Sequence, residues 1–232
     1  MKLSTDPVHQ AAPAPVPPAE NHRTIVGRRR RAKTEARIIE AALHVFAEKG
    51  PQAAVIDDFI TAAGIARGTF YNYFRSTEEL LDATKTSLRD ELMQSIEEVL
   101  AKVEDPVTRI GLGIRLYMSR AEADKTWCAF VASVRLAGTI ALEAPIRDLK
   151  RAIKSKEVSV PSVEIALDLF EGVGTSAMRR LISGKAPKKY GQSVAIVVLQ
   201  GLGVAPSKIA EIMKTKLPEL RSARRKIEQE AL

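Results

Sequence analysis

The chain has 232 residues, a formal net charge of +8 and only 5% aromatic residues. It contains no apolar run of the roughly 18 to 20 residues that a membrane-spanning helix requires, and its N-terminal sequence lacks the apolar core of a signal peptide. We therefore expect a cytoplasmic protein without a membrane partner. A single cysteine excludes an internal disulfide, three scattered histidines offer little for a metal site, and the sequence indicates no cofactor.

Residues 1–26 are rich in alanine and proline and can bury little apolar surface, which predicts a disordered tail. Clustered positive charge attracts phosphate backbones through counterion release, so nucleic acid is the first partner to consider for the cluster that follows. A solvated tail is the alternative, and it is favoured for the second basic segment, in residues 217–232. The first cluster contains Arg28, Arg29, Arg30, Arg31, Lys33 and Arg37.

Helical periodicity begins near Ala32 and ends at Gly50, with apolar residues at three- and four-residue spacings. Two short helices are predicted next, over residues 55–63 and 66–74. They are separated at Gly64, because glycine adopts the positive φ that a tight turn requires. Three short helices followed by a long one are typical of a helix-turn-helix module.

Ser76 is predicted to begin a capping box for the long fourth helix. Its hydroxyl can accept a bond from the amide of Glu79, whose carboxylate can return to Ser76. The helix is expected to end before Asp105 and Pro106, which suit the N-cap and first position of the next helix. Further helices are predicted over residues 106–122, 125–141, 145–157, 161–183 and 188–201, with a shorter one after residue 206, so the chain is predicted to be all-α.

The third helix is predicted to have two different faces. Phe70 and Phe74, four residues apart, should pack on Phe46 and Leu43 of the first helix. The opposite face is then polar and carries Arg67, Gly68, Thr69, Tyr71 and Asn72.

That polar face suits the major groove of DNA. Arginine makes paired bonds to guanine and asparagine to adenine, while the methyl group of threonine can meet that of thymine. Tyr71 and Tyr73 offer hydroxyls to phosphates, contacts that position a helix without reading sequence, and Gly68 lets the backbone approach the duplex. The alternative for the two tyrosines is that they cover a small core.

Residues 37–81, with RIIEAALHVFAEKG and GTFYNYF, resemble the N-terminal domain of the tetracycline-repressor (TetR) family. The resemblance implies a homodimer whose two recognition helices read a palindromic operator in double-stranded DNA. It also implies a larger helical domain that binds a small-molecule effector of unknown identity. The corresponding boundaries are 27–80 for the DNA-binding domain and 81–216 for the ligand-binding and dimerisation domain.

The sequence departs from the family pattern at the helix starts. Val55 and Ile56 stand where a Ser or Thr pair usually caps the second helix, and Ala66 stands where Ser often caps the third. Thr77 replaces a usual lysine, which removes a phosphate contact. We interpret residues 28–31 as a basic arm that restores the lost electrostatics, entering the minor groove.

The resemblance implies that the helices over residues 161–183 and 188–201 pair with their copies in a four-helix dimer interface. Small and apolar residues on these helices permit the close approach that such an interface needs. The candidate interface residues are Ile165, Leu169, Gly172, Val173, Ser176, Ala177, Val194 and Val198.

An effector cavity is expected among the fourth to eighth helices, and its candidates combine apolar bulk with polar reach. For each of them an ordinary core or surface role is the alternative, and Cys128 is either a redox switch or a small packing residue. The candidates are Arg115, Tyr117, Met118, Trp127, Cys128, Phe130, Arg135 and Met178.

The sequence thus predicts a dimeric, ligand-responsive transcriptional regulator, and within this family a repressor. An enzyme is disfavoured, because the chain shows neither a nucleophile–base pair nor a metal-binding HExxH motif. The missing caps and Thr77 keep one alternative open, a helical ligand-binding or interaction protein that has lost sequence-specific DNA binding.

Overall fold

The computed structural model of the chain describes residues 22–134 and 143–220, in which the backbone forms helices and no strands. The predicted all-α class is confirmed. The helices are α1 (His22–Lys49), α2 (Ile56–Ala63), α3 (Arg67–Tyr71), α4 (Thr77–Leu100), α5 (Pro106–Ala123), α6 (Lys125–Ser133), α7 (Glu143–Lys154), α8 (Val163–Ile182), α9 (Tyr190–Gly201) and α10 (Pro206–Lys214).

Helix α1 begins at His22, before the expected start near residue 32 and inside the predicted tail. Arginine and lysine are good helix formers, so the basic cluster lies within the helix. Residues 1–21, which hold most of the predicted tail, and the basic segment from residue 221 lie outside the described residues. The chain divides into two compact units between Glu35 and Ala36, and the domain boundaries expected at residues 26, 80 and 216 stay predictions.

Helix α3 is shorter than predicted, because Asn72 already caps its C-terminal end. The chain then continues to Ser76, the N-cap of α4, which has an extended backbone with a φ of −150°. As expected, its hydroxyl accepts a hydrogen bond from the amide of Glu79 at 3.2 Å. The other half of the predicted capping box is wrong by one residue, since the Glu79 carboxylate accepts the amide of Arg75 at 2.7 Å.

Helix α5 is the central helix of the larger unit and packs against α4, α6, α7, α8, α9 and α10. Its start is as predicted: the Asp105 carboxylate accepts the amide of Thr108 at 2.8 Å, and Pro106 occupies the first turn. No helix within the described residues has the length and apolar character needed to span a bilayer.

A buried arginine of α5 ties three helices together. Arg109 is 6% exposed, and its Nε donates to Asp148 of α7 at 2.7 Å. Its Nη1 donates to the carbonyl of Leu100 at 2.6 Å, and its Nη2 contacts both carboxylate oxygens of Glu97 at 2.7 Å. The guanidinium therefore caps the end of α4 and holds it to α7. Burial opposes this charge, but the bonds to Asp148 and Glu97 outweigh it and raise the pKa of Arg109.

We expect Asp148→Ala to lower the free energy of unfolding by about 3 kcal/mol, because it leaves the buried Arg109 charge without its main partner. The matched control is Arg147→Ala, which removes an exposed guanidinium 3.4 Å from the same carboxylate. Its cost should be under about 1 kcal/mol. Urea denaturation of both variants measures the difference, and equal costs would contradict the role of Arg109 as a buried clasp.

Candidate nucleic-acid interface and ligand pocket

The turn between α2 and α3 depends on Gly64. This residue has a φ of +59° and ends α2 in the left-handed conformation, which residues with a Cβ adopt only at a cost. The amide of Gly64 donates to Thr61 and that of Ile65 to Ile60, both at 3.2 Å. The sequence-based expectation of a positive φ at this turn is confirmed, and the turn fixes the direction in which α3 leaves α2.

A row of phenylalanine rings holds α3 on its neighbours. Phe70 and Phe74 are buried, as predicted, and Phe59 of α2 contacts the rings of both Phe46 and Phe70. The ring centroids of Phe46 and Phe59 lie 4.9 Å apart, and those of Phe59 and Phe70 lie 6.5 Å apart with nearly parallel planes. Sequence reasoning missed Phe59, although its four-residue spacing from Ala63 was a signal for a buried face.

The opposite side of α3 faces solvent. The side chain of Arg67 is 59% exposed and Tyr71 is 49% exposed; Gly68 and Asn72 are also exposed, and Thr69 is half-buried. A Cβ built at Gly68 would meet nothing within 4 Å, so the backbone is uncovered at that point. These residues form one surface, which we call the outward face, and the half-buried Tyr73 follows it in the chain.

Neither short helix has a side-chain N-cap, since Val55 and Ala66 occupy the two positions. Asp58 replaces the cap of α2 in part: its Oδ2 accepts the amide of Val55 at 3.0 Å, and its Oδ1 lies 2.6 Å from Lys49 Nζ. The bond from Lys49, followed by that from Val55, lowers the pKa of Asp58. The charged carboxylate therefore ties the start of α2 to the end of α1.

An ion pair joins the two helices of the motif at their surface. Arg67 Nη2 of α3 lies 3.2 Å from Asp57 Oδ1 in the first turn of α2, and the Asp57 side chain is 72% exposed. The guanidinium at the start of the outward face is therefore held by a carboxylate of the preceding helix.

The predicted basic arm belongs to the smaller unit and is helical. Its five residues are exposed, so their charges are accessible to solvent and counterions. They are Arg28, Arg29, Arg30, Arg31 and Lys33 of α1.

Most of the predicted ligand residues pack in the core. Tyr117 is half-buried between the rings of Trp127 and Phe170, with centroid distances of 5.3 and 5.2 Å, and burial raises its pKa. Arg115 donates to the carbonyls of Ile212 and Thr215, at 2.6 and 2.8 Å, and so caps the end of α10. Arg135 lies outside the described residues. The fully buried candidates are Met118, Trp127, Cys128, Phe130 and Met178.

Cys128 has the properties of a packing residue. It is 1% exposed, and its Sγ lies 3.5 Å from the Sδ of Met178. Burial, with a smaller effect of Asp124, raises the pKa of this thiol to about 11, so at neutral pH it is protonated and poorly nucleophilic.

A small cavity of about 10 Å³ lies between α4, α5 and α6, roughly the room of one water molecule. Of the predicted candidates that the structure describes, Trp127 alone lines it. Arg120 contributes a buried Nε that has no hydrogen-bond partner among the described residues, although its Nη2 pairs with Asp124 at 3.0 Å. The lining residues are Leu88, Glu91, Leu92, Ser95, Arg120, Trp127 and Leu220.

The predicted dimer residues divide into two groups. Ile165 is 50% exposed, and Gly172 and Ser176 are exposed and border an open groove of about 660 Å³ beside α8. Leu169 and Val173 are half-buried, and Leu169 packs on Gly201 of α9.

Three of the predicted dimer residues are buried within the single chain, and a role for them in a dimer stays a prediction. Ala177, Val194 and Val198 are at most 5% exposed within the single chain, so the protomer's own core already covers them. Val197 of α9 and Ile182 of α8, which were not predicted, are also exposed apolar residues, at 53% and 48%. When a helix is apolar on several sides, its sequence does not indicate which side packs against the core of the protomer.

Residues 38–84 match the sequence model of a protein family that is described as "Bacterial regulatory proteins, tetR family". The chain is 39% identical over 69 residues to the HTH-type transcriptional regulator YvdT of Bacillus subtilis (strain 168) and 34% identical over 85 residues to the HTH-type transcriptional repressor KstR2 of Rhodococcus jostii (strain RHA1). These matches cover 30% and 37% of this chain. They span less than half of each relative, 36% and 39%.

Solved structures extend the similarity to the larger unit. The structure of RolR in complex with resorcinol has a TM-score of 0.65 and 25% sequence identity, over 84% of this chain and all of that chain. The structure of the transcriptional regulator FadR from Bacillus subtilis in complex with stearoyl-CoA has a TM-score of 0.59, over 72% of this chain and 96% of that chain. At 20% identity, the second similarity concerns the fold alone.

Within the helix-turn-helix, we expect buried residues to determine the free energy of unfolding and residues of the outward face to contribute little to it. We expect Phe59→Ala to lower the free energy of unfolding by about 3 to 5 kcal/mol, because it opens a cavity between two buried rings. Arg67→Ala, on the outward face, should change it by no more than about 0.5 kcal/mol. Urea unfolding followed by circular dichroism compares them, and similar losses would contradict the assignment of Phe59 as the centre of this core.

Proposed function

The chain belongs to the TetR family of bacterial regulatory proteins, and from this premise we propose that it is a homodimeric transcriptional repressor that binds palindromic operator DNA and is released by a small-molecule effector. The observation that carries the proposal is the outward face of α3. It presents Arg67, Gly68, Tyr71 and Asn72 to solvent on a helix that is anchored from behind by Phe59 and Phe70.

The outward face has the chemistry of sequence readout in a major groove. Arg67 suits guanine and Asn72 suits adenine, and the open backbone at Gly68 permits a close approach to the duplex. Tyr71 and Tyr73 supply hydroxyls for phosphates. The basic residues 28–31 and Lys33 add charge that releases counterions or enters a minor groove.

A second copy of the chain is proposed to cover α8 and α9. Ile165, Ile182 and Val197 leave about half of their surfaces in solvent, and burial of such apolar surface favours association. Gly172 and Ser176 add small residues that permit close helix packing. A two-fold dimer would present its recognition helices to half-sites about one helical turn apart.

The effector is proposed to enter at the cavity between α4, α5 and α6. The buried Nε of Arg120 could donate a hydrogen bond to an acceptor on the effector. Apolar and aromatic contacts would come from Trp127, Leu88 and Leu92. RolR and FadR have been solved with small organic molecules bound, which supports an organic effector. Because the cavity has room for about one water molecule, an effector fits only when α4 moves away from α5 and α6.

Helix α6 supplies a physical route from this cavity to the DNA-binding helices. Trp127 lines the cavity, and Phe130 follows three residues later. The ring centroids of Phe130 and Phe46 lie 6.1 Å apart. Phe46 in turn packs against Phe59, which supports α3. A displacement of α6 by an effector would therefore reach the recognition helix through contacts between rings.

A second function, ligand binding without sequence-specific DNA recognition, is favoured by one observation. Neither α2 nor α3 has a side-chain N-cap, so the two helices of the motif begin without a stabilisation of about 1 kcal/mol each. DNA binding decides between the two functions.

Selection of bound sequences from random duplex DNA should yield a two-fold symmetric motif. In the Arg67→Ala, Asn72→Ala variant we expect the motif to be lost, since each paired base contact contributes about 1 to 3 kcal/mol of discrimination. Lys150→Ala, which removes an exposed charge on α7, is the control and should retain the motif. Binding without a motif, insensitive to the variant but dependent on residues 28–31, would favour the second function.

Phe130→Leu should uncouple effector binding from DNA release. Trp127 is the only tryptophan of the chain, so its fluorescence reports a titration with resorcinol and related phenols. We expect the variant to bind the phenol and the operator as the unaltered chain does, while phenol-induced release weakens about fivefold or more. Unchanged release would contradict the route through Phe46 and Phe130.

A further inference from the structure

Asp57 is an anion on the surface that the proposed function presents to DNA. Its carboxylate Oδ1 lies 3.2 Å from Arg67 Nη2, and both side chains are mostly exposed. An uncompensated carboxylate near phosphates weakens binding to any duplex. The ion pair between α2 and α3 therefore needs an explanation other than affinity.

Helix stability explains a carboxylate at this position but not its pairing with Arg67: an acid in the first turn of α2 interacts favourably with the helix dipole, whether or not it contacts an arginine. The partial N-cap of α2 comes from Asp58, which accepts the amide of Val55 and pairs with Lys49. An exposed ion pair such as that of Asp57 with Arg67 contributes little to folding, because water screens the charges and both side chains lose rotamer freedom.

The guanidinium of Arg67 can serve two partners at once. It carries five N–H groups in a rigid planar fork, and a carboxylate at Nη2 restricts the orientation of that plane. The remaining N–H groups can still donate to the O6 and N7 acceptors of guanine. Exclusion of water at a protein–DNA contact strengthens the ion pair, so the restriction is greater in the complex than in the free protein.

We propose that Asp57 is a positioning residue that holds the Arg67 guanidinium for guanine and so sets the base preference at one position of each operator half-site. The inference rests on the proposed function and names a determinant of its specificity. When Arg67 donates to guanine, a carboxylate beside it can accept from the N4 donor of the paired cytosine, whereas in an A·T pair it would face the O4 acceptor of thymine. The pair should therefore prefer a G·C base pair to any other at this position.

Competition binding with single-base operator variants tests the proposal. Asp57→Asn keeps the size of the side chain and removes its charge. We expect it to bind random duplexes more tightly, while the preference for guanine at one symmetric position falls about tenfold. Asp57→Glu should restore part of the preference. In the Arg67→Ala background, Asp57→Asn should leave base preference unchanged, because the two residues act as a unit.

The matched control is Asp82→Asn, since Asp82 is 71% exposed and also pairs with a cation, Lys85. It removes the same charge and should alter affinity for all duplexes alike, with base preference and the urea midpoint unchanged. If Asp57→Asn behaves in the same way as this control, the positioning role is overturned while the regulator function stands. If the unaltered chain selects no symmetric motif, the proposed function fails together with this inference.

Discussion

The arrangement of the larger unit depends on the buried guanidinium of Arg109. A buried charge is tolerated only when its donors are satisfied, and here Asp148, Glu97 and the carbonyl of Leu100 meet that requirement from three directions. The same bonds fix the C-terminal end of α4 against α5 and α7. The long helix α4, which follows α3, is therefore anchored at its far end.

This anchor gives α4 the geometry of a lever under the proposed function. A helix of 24 residues is about 36 Å long, and its cavity residues, from Leu88 to Ser95, lie roughly 8 to 18 Å from the anchored end. A displacement at the cavity would be enlarged about two- to fourfold where α4 meets the recognition helix. The contact of Phe46 with Phe130 is a second path to the same place, so α4 and α6 both connect the cavity to the helix-turn-helix.

Local features of this fold were predictable from sequence, and long-range contacts were not. The turn at Gly64, the cap at Asp105 and the inward direction of Phe70 follow from residues within four positions of one another. Asp148 lies 39 positions from Arg109, and no local pattern indicates that pair. Arg115 was considered for an acidic ligand, yet it caps a helix end 97 residues away.

The candidate sites were likewise predictable only where local sequence determines the position of a side chain. The outward face was predictable because α3 has to turn its phenylalanines inward, which leaves one direction for the remaining residues. Of the residues that line the small cavity between α4, α5 and α6, the sequence indicated only Trp127, because Arg120 and Ser95 become neighbours when three helices pack. The inward direction of Val194 and Val198 depends on which side of α9 meets α5, and hydrophobic periodicity cannot decide this for a helix that is apolar on more than one side.

The division of α3 into a buried and an exposed side also bears on how such a protein can evolve. Phe59 and Phe70 are buried and hold the helix, while Arg67, Tyr71 and Asn72 are exposed, so we expect substitutions at the exposed positions to reduce little of a stability of only a few kcal/mol. Under the proposed function, a copy that arises by gene duplication could accumulate changes at these outward positions and acquire a new DNA target on an unaltered scaffold. In that case DNA specificity and fold stability depend on different residues of the same five-residue helix and its neighbours.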